Sequence, residues 1–272
     1  MTPPTDAPFV ALTQALGAHA LAGFFVLLAV VLVAVAMVGV SLGRLSRLQR
    51  RARAHPYATL FVRLLFGFAL IVAAAYAFAE IAEEIAPGEK LAHLDQVFSD
   101  AVIAHTPDSV RQVFAWISRL GDPITLAVLG VVAVLALLLR GERLLAVAVA
   151  IAMGGNALLN LALKHAFERA RPLHHAGPTP FDGYSFPSGH SSGALVAYGM
   201  LAYVLIRTLP RGWHLPAAML CAAAAFSVGA SRIFVQAHFA TDVVAGFSSG
   251  GAWLTICILT VEWMHRERHA RP

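Results

Sequence analysis

Seven long apolar runs limit what this chain can become. They cover residues 21–42, 57–79, 123–139, 144–163, 191–209, 215–230 and 243–261, and the sixth reads on to about 235. A helix of about 20 apolar residues is long enough to cross the hydrocarbon core of a bilayer. Inside that core every backbone N–H and C=O must be bonded within the protein, which leaves helices and closed barrels. The runs are continuous rather than alternating, so helices are expected and a barrel is not. Composition agrees: 58% of the 272 residues are hydrophobic and 13% are charged, about half the charged share of a soluble domain. An ordinary soluble enzyme, a disordered chain and a coiled coil are excluded. The expected fold class is all-α, a polytopic transmembrane helix bundle.

The basic residues orient it. A dense cluster, Arg44, Arg47, Arg50, Arg51 and Arg53, follows the first run, and residues 1–20 contain no Lys or Arg. The first run is too long for a signal-peptide core and lacks a basic segment before it. It reads as an anchor with its C-terminal end in the cytoplasm and the N-terminus outside. Alternating seven spans from there puts Arg140, Arg143, Arg207, Arg211, Arg266, Arg268 and Arg271 inside. Segments 80–122 and 164–190 and the turn near Arg232 fall outside. The net charge of +5 is therefore read as topology, and no nucleic-acid partner is expected. Cys221 and Cys257 lie in apolar runs and read as small buried side chains, with no disulfide framework or metal cluster. Residues 80–122 carry helical repeats (Leu91, Leu94, Phe98, Val102; then Val110, Val113, Phe114, Ile117) interspersed with Glu83, Glu84, Asp95 and Asp108. They read as short amphipathic helices in the outer interface or packed on the bundle.

Three polar clusters map to the outer face. Lys164 and Arg171-Pro172 follow the fourth run. Seven residues apart on a continuing helix, the two cations share a face and make an anion site; snorkelling cations are the plainer reading. Pro187-Ser188-Gly189-His190 precedes the fifth run. Ser188 is a natural N-cap, Gly189 lets a ligand approach the backbone, and helix N-terminal amides bind phosphate. Ser231-Arg232, His238 and Asp242 lie between the last two runs. His238 and Asp242 are spaced i, i+4, as for one helix face. An Asp that accepts from one imidazole nitrogen leaves the other free to act as a nucleophile. Each cluster alone has a structural explanation. Together they set three cations, two histidines and a carboxylate at one membrane face, where such groups are costly and functional. The cations argue against a metal at these histidines. His174 and His175 could pair on a metal, but Gly177, Pro178, Pro180 and Gly183 mark their segment as a loop.

In order and spacing these clusters resemble the three motifs of the type 2 phosphatidic acid phosphatase superfamily, KxxxxxxRP, PSGH and SRxxxxxHxxxD, matched at every defined position. The resemblance spans residues 91–263. It implies a six-span phosphatase core, so the helix at 21–42 is an extra N-terminal span. The chain then divides into 1–56 (extra span and basic loop), 57–265 (phosphatase bundle) and 266–272 (cytoplasmic tail). The resemblance implies that His238 is a nucleophile forming a phosphohistidine, Asp242 its orienting partner and His190 the general acid. Lys164, Arg171, Ser188, Gly189 and Arg232 would bind phosphate, with no metal and no cofactor.

The chemistry of the residues agrees: fixed cations stabilise charge spread over a transferring phosphoryl group, and an imidazole splits hydrolysis into two displacements. The expected function is a lipid phosphate phosphatase whose partners are its lipid substrate and the surrounding membrane lipids. Phosphatidate, phosphatidylglycerophosphate, undecaprenyl diphosphate and lipid A phosphates are all candidate substrates. A lipid phosphotransferase on the same site is the alternative, followed by a vanadate-dependent haloperoxidase and a non-catalytic lipid transporter. Ala- and Arg-rich, Lys-poor usage suggests a bacterium with a GC-rich genome, and the expected location of such a helix bundle is the inner (plasma) membrane.

Overall fold

The computed structural model describes residues 7–52, 56–86, 88–172 and 183–270. His174, His175, Gly177, Pro178 and Pro180 lie outside these residues. The side chains of Arg47, Arg50, Arg51, Arg53, Arg63, Arg266, Arg268 and Arg271 are likewise outside the description.

Among the described residues ten α-helices follow one another: α1 (Ala7–Ala18), α2 (Ala20–Ala52), α3 (Pro56–Glu83), α4 (Lys90–His105), α5 (Asp108–Ser118), α6 (Pro123–Leu139), α7 (Arg143–Phe167), α8 (Gly189–Thr208), α9 (His214–Phe234) and α10 (Ala240–Ala270). Short 3-10 turns, Arg119–Gly121 and Arg211–Trp213, lead into α6 and α9. No strand occurs among the described residues. The expected all-α multi-pass bundle is what forms. Among the described residues six helices, α2, α3, α7, α8, α9 and α10, are long and apolar enough to cross a membrane. The run at 123–139 folds as the 17-residue α6. It makes a seventh span only together with α5, from which it bends by 42°.

Packing follows the sequence pattern. α6, α7, α8 and α10 close around Leu145, Ala152, Val196, Met200 and Val261. A second core joins α2, α4, α5 and α9 through Phe24, Val102, Phe114 and Phe234, with Phe114 and Phe234 stacked at 3.9 Å. α2 and α3 instead expose large apolar side chains such as Phe25, Val30, Met37, Phe66 and Phe68, as lipid-facing helices do. Cys221 and Cys257 are buried and free.

The outer segment forms the two expected short helices, α4 and α5. Val113 is exposed, while Phe114 and Ser118 face inward, so the buried stripe of α5 is narrower than its apolar repeat. Asp95 is 4% exposed, because Arg169 across the bundle end pairs with it at 2.9 Å. The helix α1 was not expected. It packs on α4 through Gly17, where a Cβ would lie 2.7 Å from Ala101 Cβ.

Candidate functional site

The site forms where α7 and α9 end and α8 and α10 begin. Lys164 sits in the last turn of α7. The helix does not continue to Arg171, as the seven-residue spacing suggests. It stops at Phe167, and Glu168 turns left-handed (φ 46°) while its N–H bonds Lys164 O at 3.0 Å. The next residues are held across the bundle end. Ser185 N–H donates to Arg169 O (2.7 Å), and Arg169 inserts its guanidinium between two carboxylates. Arg171 reaches the site from this extended segment. It donates from Nε to Gly183 O (3.1 Å) and from Nη1 to Ala237 O (2.7 Å), and its Nη1 lies 3.5 Å from His238 Nε2. Lys164 donates to the Tyr184 carbonyl. The two cations converge through a loop rather than along one helix.

Ser188 caps α8 as expected: its Oγ accepts the Ser191 N–H at 3.3 Å. A Cβ on Gly189 would lie 2.9 Å from Asn160 Oδ1, so the bare glycine lets the Asn160 amide rest against the start of α8. His190, in the first turn, meets Asp122 at the start of α6, with 3.0 Å between Nε2 and Oδ1. On the other side α10 presses closely. A Cβ on Gly246 would lie 2.5 Å from Ser188 O, and one on Gly250 2.9 Å from Ser192 Cα. Ser188 N–H donates to Asp242 O at 3.0 Å, tying the two helix starts together.

Arg232 is buried in the last turn of α9 and donates to Ser118 Oγ at 2.6 Å. The chain then turns through Gln236 (φ 57°), whose side chain accepts from Ser99 Oγ at 2.6 Å. His238 lies in this turn, before α10 begins. It does not share a helix face with Asp242, as the i, i+4 spacing suggests. The turn brings the pair together instead, with His238 Nδ1 3.5 Å from Asp242 Oδ2. Asp242 is the third residue of α10, and its Oδ2 also reaches back to the Phe239 N–H at 2.9 Å, the N-terminal half of a capping box. Oδ2 further accepts from the Ser185 hydroxyl, and Oδ1 accepts from Arg169 Nη1 at 2.6 Å. Arg169 Nη2 bonds Asp95 Oδ2 at 2.9 Å, and the Thr241 hydroxyl donates to the same carboxylate.

Burial sets the protonation at this end. It pushes the His238 imidazole down to about 3 against the opposing pull of Asp242, so the ring is neutral at physiological pH. Burial raises the Asp95 carboxyl above its usual value, while Thr241 and Arg169 pull it back.

Lys164, Arg171, Gly189, His190, Arg232 and His238 all line one cavity of about 780 Å³. Ser188 and Asp242 lie fully buried behind its wall. Asn156 and Asn160 line it next to the charged end, and beyond them the wall is apolar: Leu126, Val131 and Leu135 of α6, and Val149, Ala150 and Met153 of α7. From Pro123 to Leu135 is twelve residues, so the cavity runs about 18 Å along the bundle from its polar end. Val131, Leu135 and Leu161 are over half exposed, so this wall reaches the outer surface of the bundle. Among the described residues no group of three or more His, Cys, Asp or Glu is placed to hold a metal. The arrangement can bind a tetrahedral anion against cations and helix N-terminal amides while an apolar tail lies along α6 and α7.

Sequence reasoning missed Arg169, Asp95, Asp122, Ser185 and Thr241. Arg169 stands two residues before Arg171, at an unspecified position of the first motif. Asp122, directly before Pro123, carries the mark of a helix N-cap and nothing more.

Comparison with known proteins gives the chain a family. The PAP2 superfamily model matches residues 143–266. The chain is 32% identical over 158 residues to phosphatidylglycerophosphatase B of Bacillus subtilis (strain 168), covering 57% of this chain and 77% of that protein. It is 39% identical over 112 residues to the lipid A 1-phosphatase of Rhizobium etli, covering 37% of this chain and 43% of that protein. The crystal structure of a transmembrane PAP2-type phosphatidylglycerolphosphate phosphatase from Bacillus subtilis superposes with a TM-score of 0.65 at 28% identity, covering 72% of this chain and 96% of that one. With its three motifs gathered at one end of a membrane bundle, this chain belongs to the PAP2 superfamily, among its membrane lipid phosphatases.

Proposed function

We propose that the protein hydrolyses a phosphate monoester or diphosphate of a membrane lipid through a phosphohistidine on His238. The observation that carries this reading is the setting of the neutral His238 ring. Its Nδ1 faces Asp242, and its Nε2 faces a cavity that also presents Lys164, Arg171 and Arg232. With Nδ1–H directed at Asp242, the Nε2 lone pair attacks phosphorus. The three cations and the N-terminal amides of α8 hold the equatorial oxygens, where charge develops. His190 protonates the departing oxygen and then takes a proton from the water that cleaves the P–N bond. No metal and no cofactor enter these steps.

The apolar wall of the cavity supports a lipid tail on the substrate. A glycerophospholipid monoester such as phosphatidylglycerophosphate is favoured, because the relative covered over 77% of its length is named for it. The site lies at the bundle end opposite Arg140, Arg143, Arg207 and Arg211. By the positive-inside rule it faces the periplasm or exterior of a bacterial inner membrane, with the N-terminus outside and the C-terminus cytoplasmic. On this reading residues 57–265 form the catalytic bundle, and α2 is an added span.

Purified protein in mixed micelles with chelator should release phosphate from phosphatidylglycerophosphate or phosphatidate and be inhibited by vanadate. His238→Ala should lower kcat/KM by on the order of 10³-fold or more. Undiminished turnover in that variant would sink the nucleophile assignment.

A further inference from the structure

Asp122 occupies the N-cap of α6, where a carboxylate ordinarily accepts the N–H of the second or third helical residue. It makes no such bond here. Its Oδ1 reaches across to Nε2 of His190 at 3.0 Å instead. The surroundings are built to hold that meeting. Gly121 has no room for a side chain, since a Cβ would lie 2.2 Å from Val228 Cγ1 and 3.1 Å from His190 Cδ2. Leu120 O accepts the Tyr198 hydroxyl at 3.0 Å, fastening the same turn to α8, the helix that carries His190. The 42° bend between α5 and α6 falls at this residue. The other charged groups facing His190 are cationic: Arg232 from α9 and Arg171 from the segment after α7. Lys164 and the His238 ring share the cavity wall.

We propose that Asp122 is a positioning residue for proton transfer to the leaving group, acting through His190. This rests on the phosphatase reading above. Asp122 accepts the Nε2–H of His190 throughout the cycle, which fixes the ring and leaves Nδ1 to serve the substrate. In the first step the bond from phosphorus to the leaving oxygen breaks and the bond to His238 Nε2 forms. The proton on His190 Nδ1 passes to the leaving oxygen. In the second step water attacks phosphorus, the P–N bond breaks, and a water proton returns to Nδ1. Asp122 takes no proton; its negative charge stabilises the imidazolium among three cations, as an orienting carboxylate does for a catalytic histidine.

The test compares leaving groups. A poor one, such as the alkoxide of phosphatidate, needs the proton; a good one, such as p-nitrophenolate, does not. Asp122→Asn and Asp122→Ala should lower kcat/KM on phosphatidate by about 10- to 100-fold, and on p-nitrophenyl phosphate by less than about threefold. Asp122→Glu should recover most of the phosphatidate activity. Because Asp122 makes no cap bond to α6, the thermal midpoint of Asp122→Asn should stay close to wild type. Equal losses on both substrates, no loss on either, or no recovery by Glu would overturn the proposal. Wild-type protein inactive on every lipid phosphate would overturn the phosphatase reading itself, and this role with it.

Discussion

Asp242 meets more than one imidazole. It gathers Arg169, the Ser185 hydroxyl and the Phe239 N–H onto two oxygens, with His238 Nδ1 3.5 Å from Oδ2, and through Arg169 it is coupled to Asp95 on the outer helix α4. A carboxylate so fully satisfied keeps its charge inside a buried site. It also keeps the His238 ring in place without charging it. Because burial holds His238 near 3 when folded, against an ordinary value of 6.5, the unfolded chain binds a proton there that the folded chain refuses. The stability this group supports is whole above pH 6.5 and drains as pH falls toward 3. His238→Gln should therefore lose less of its thermal midpoint than wild type when the detergent-solubilised protein is moved from pH 7.5 to 5; equal losses would contradict the assignment. The His238–Asp242 pair was readable from its spacing, but its geometry was not. The spacing implies one helix face, whereas a turn anchored by Gln236 and Ser99 brings the two together. Arg169 was unreadable because its partners, Asp95 and Asp242, lie more than 70 residues away.

Among the elements, the contact between α8 and α10 sets the distance across the site. Gly246 and Gly250, one turn apart, let the two backbones approach, as small residues do in membrane helix pairs. A methyl at Gly246 must displace Ser188 O, and with it the Ser188–Asp242 backbone bond. Gly246→Ala should cost about 1–3 kcal/mol of stability and lower kcat along with it, read by thermal melting and by phosphate release. Gly23→Ala on α2, where the added methyl would meet nothing within 4 Å, is the control and should leave both unchanged or slightly raise the melting point. The spans themselves were legible because a 20-residue apolar run has few other uses. The end of α7 was not, since the turn at Glu168 is imposed by contacts of Arg169 and Ser185 rather than by a local signal. Nor was α1, twelve residues with no acidic or basic side chain in its first or last turn to mark either end.

At the scale of the molecule, one cavity joins a charged end to an apolar wall between α6, α7 and α8. Ala150 lies on that wall, 14 residues from Lys164 along α7, roughly 20 Å deeper. Ala150→Trp should raise KM for a long-chain lipid phosphate about tenfold, equivalent to about 1.4 kcal/mol of binding. Turnover of a short-chain, water-soluble phosphate ester should not change. A matching rise for both esters would place the tail elsewhere. The charged end was legible from three motifs. The apolar wall was not, because nothing in the runs at 123–139 and 144–163 distinguishes a residue facing a cavity from one facing lipid. The shape of this cavity gives each product of the proposed reaction its own way out. Inorganic phosphate departs from the charged end into water, while the dephosphorylated lipid slides out past Val131 and Leu135 into the bilayer. The two products leave by separate routes into separate phases, so neither has to pass the other on its way out.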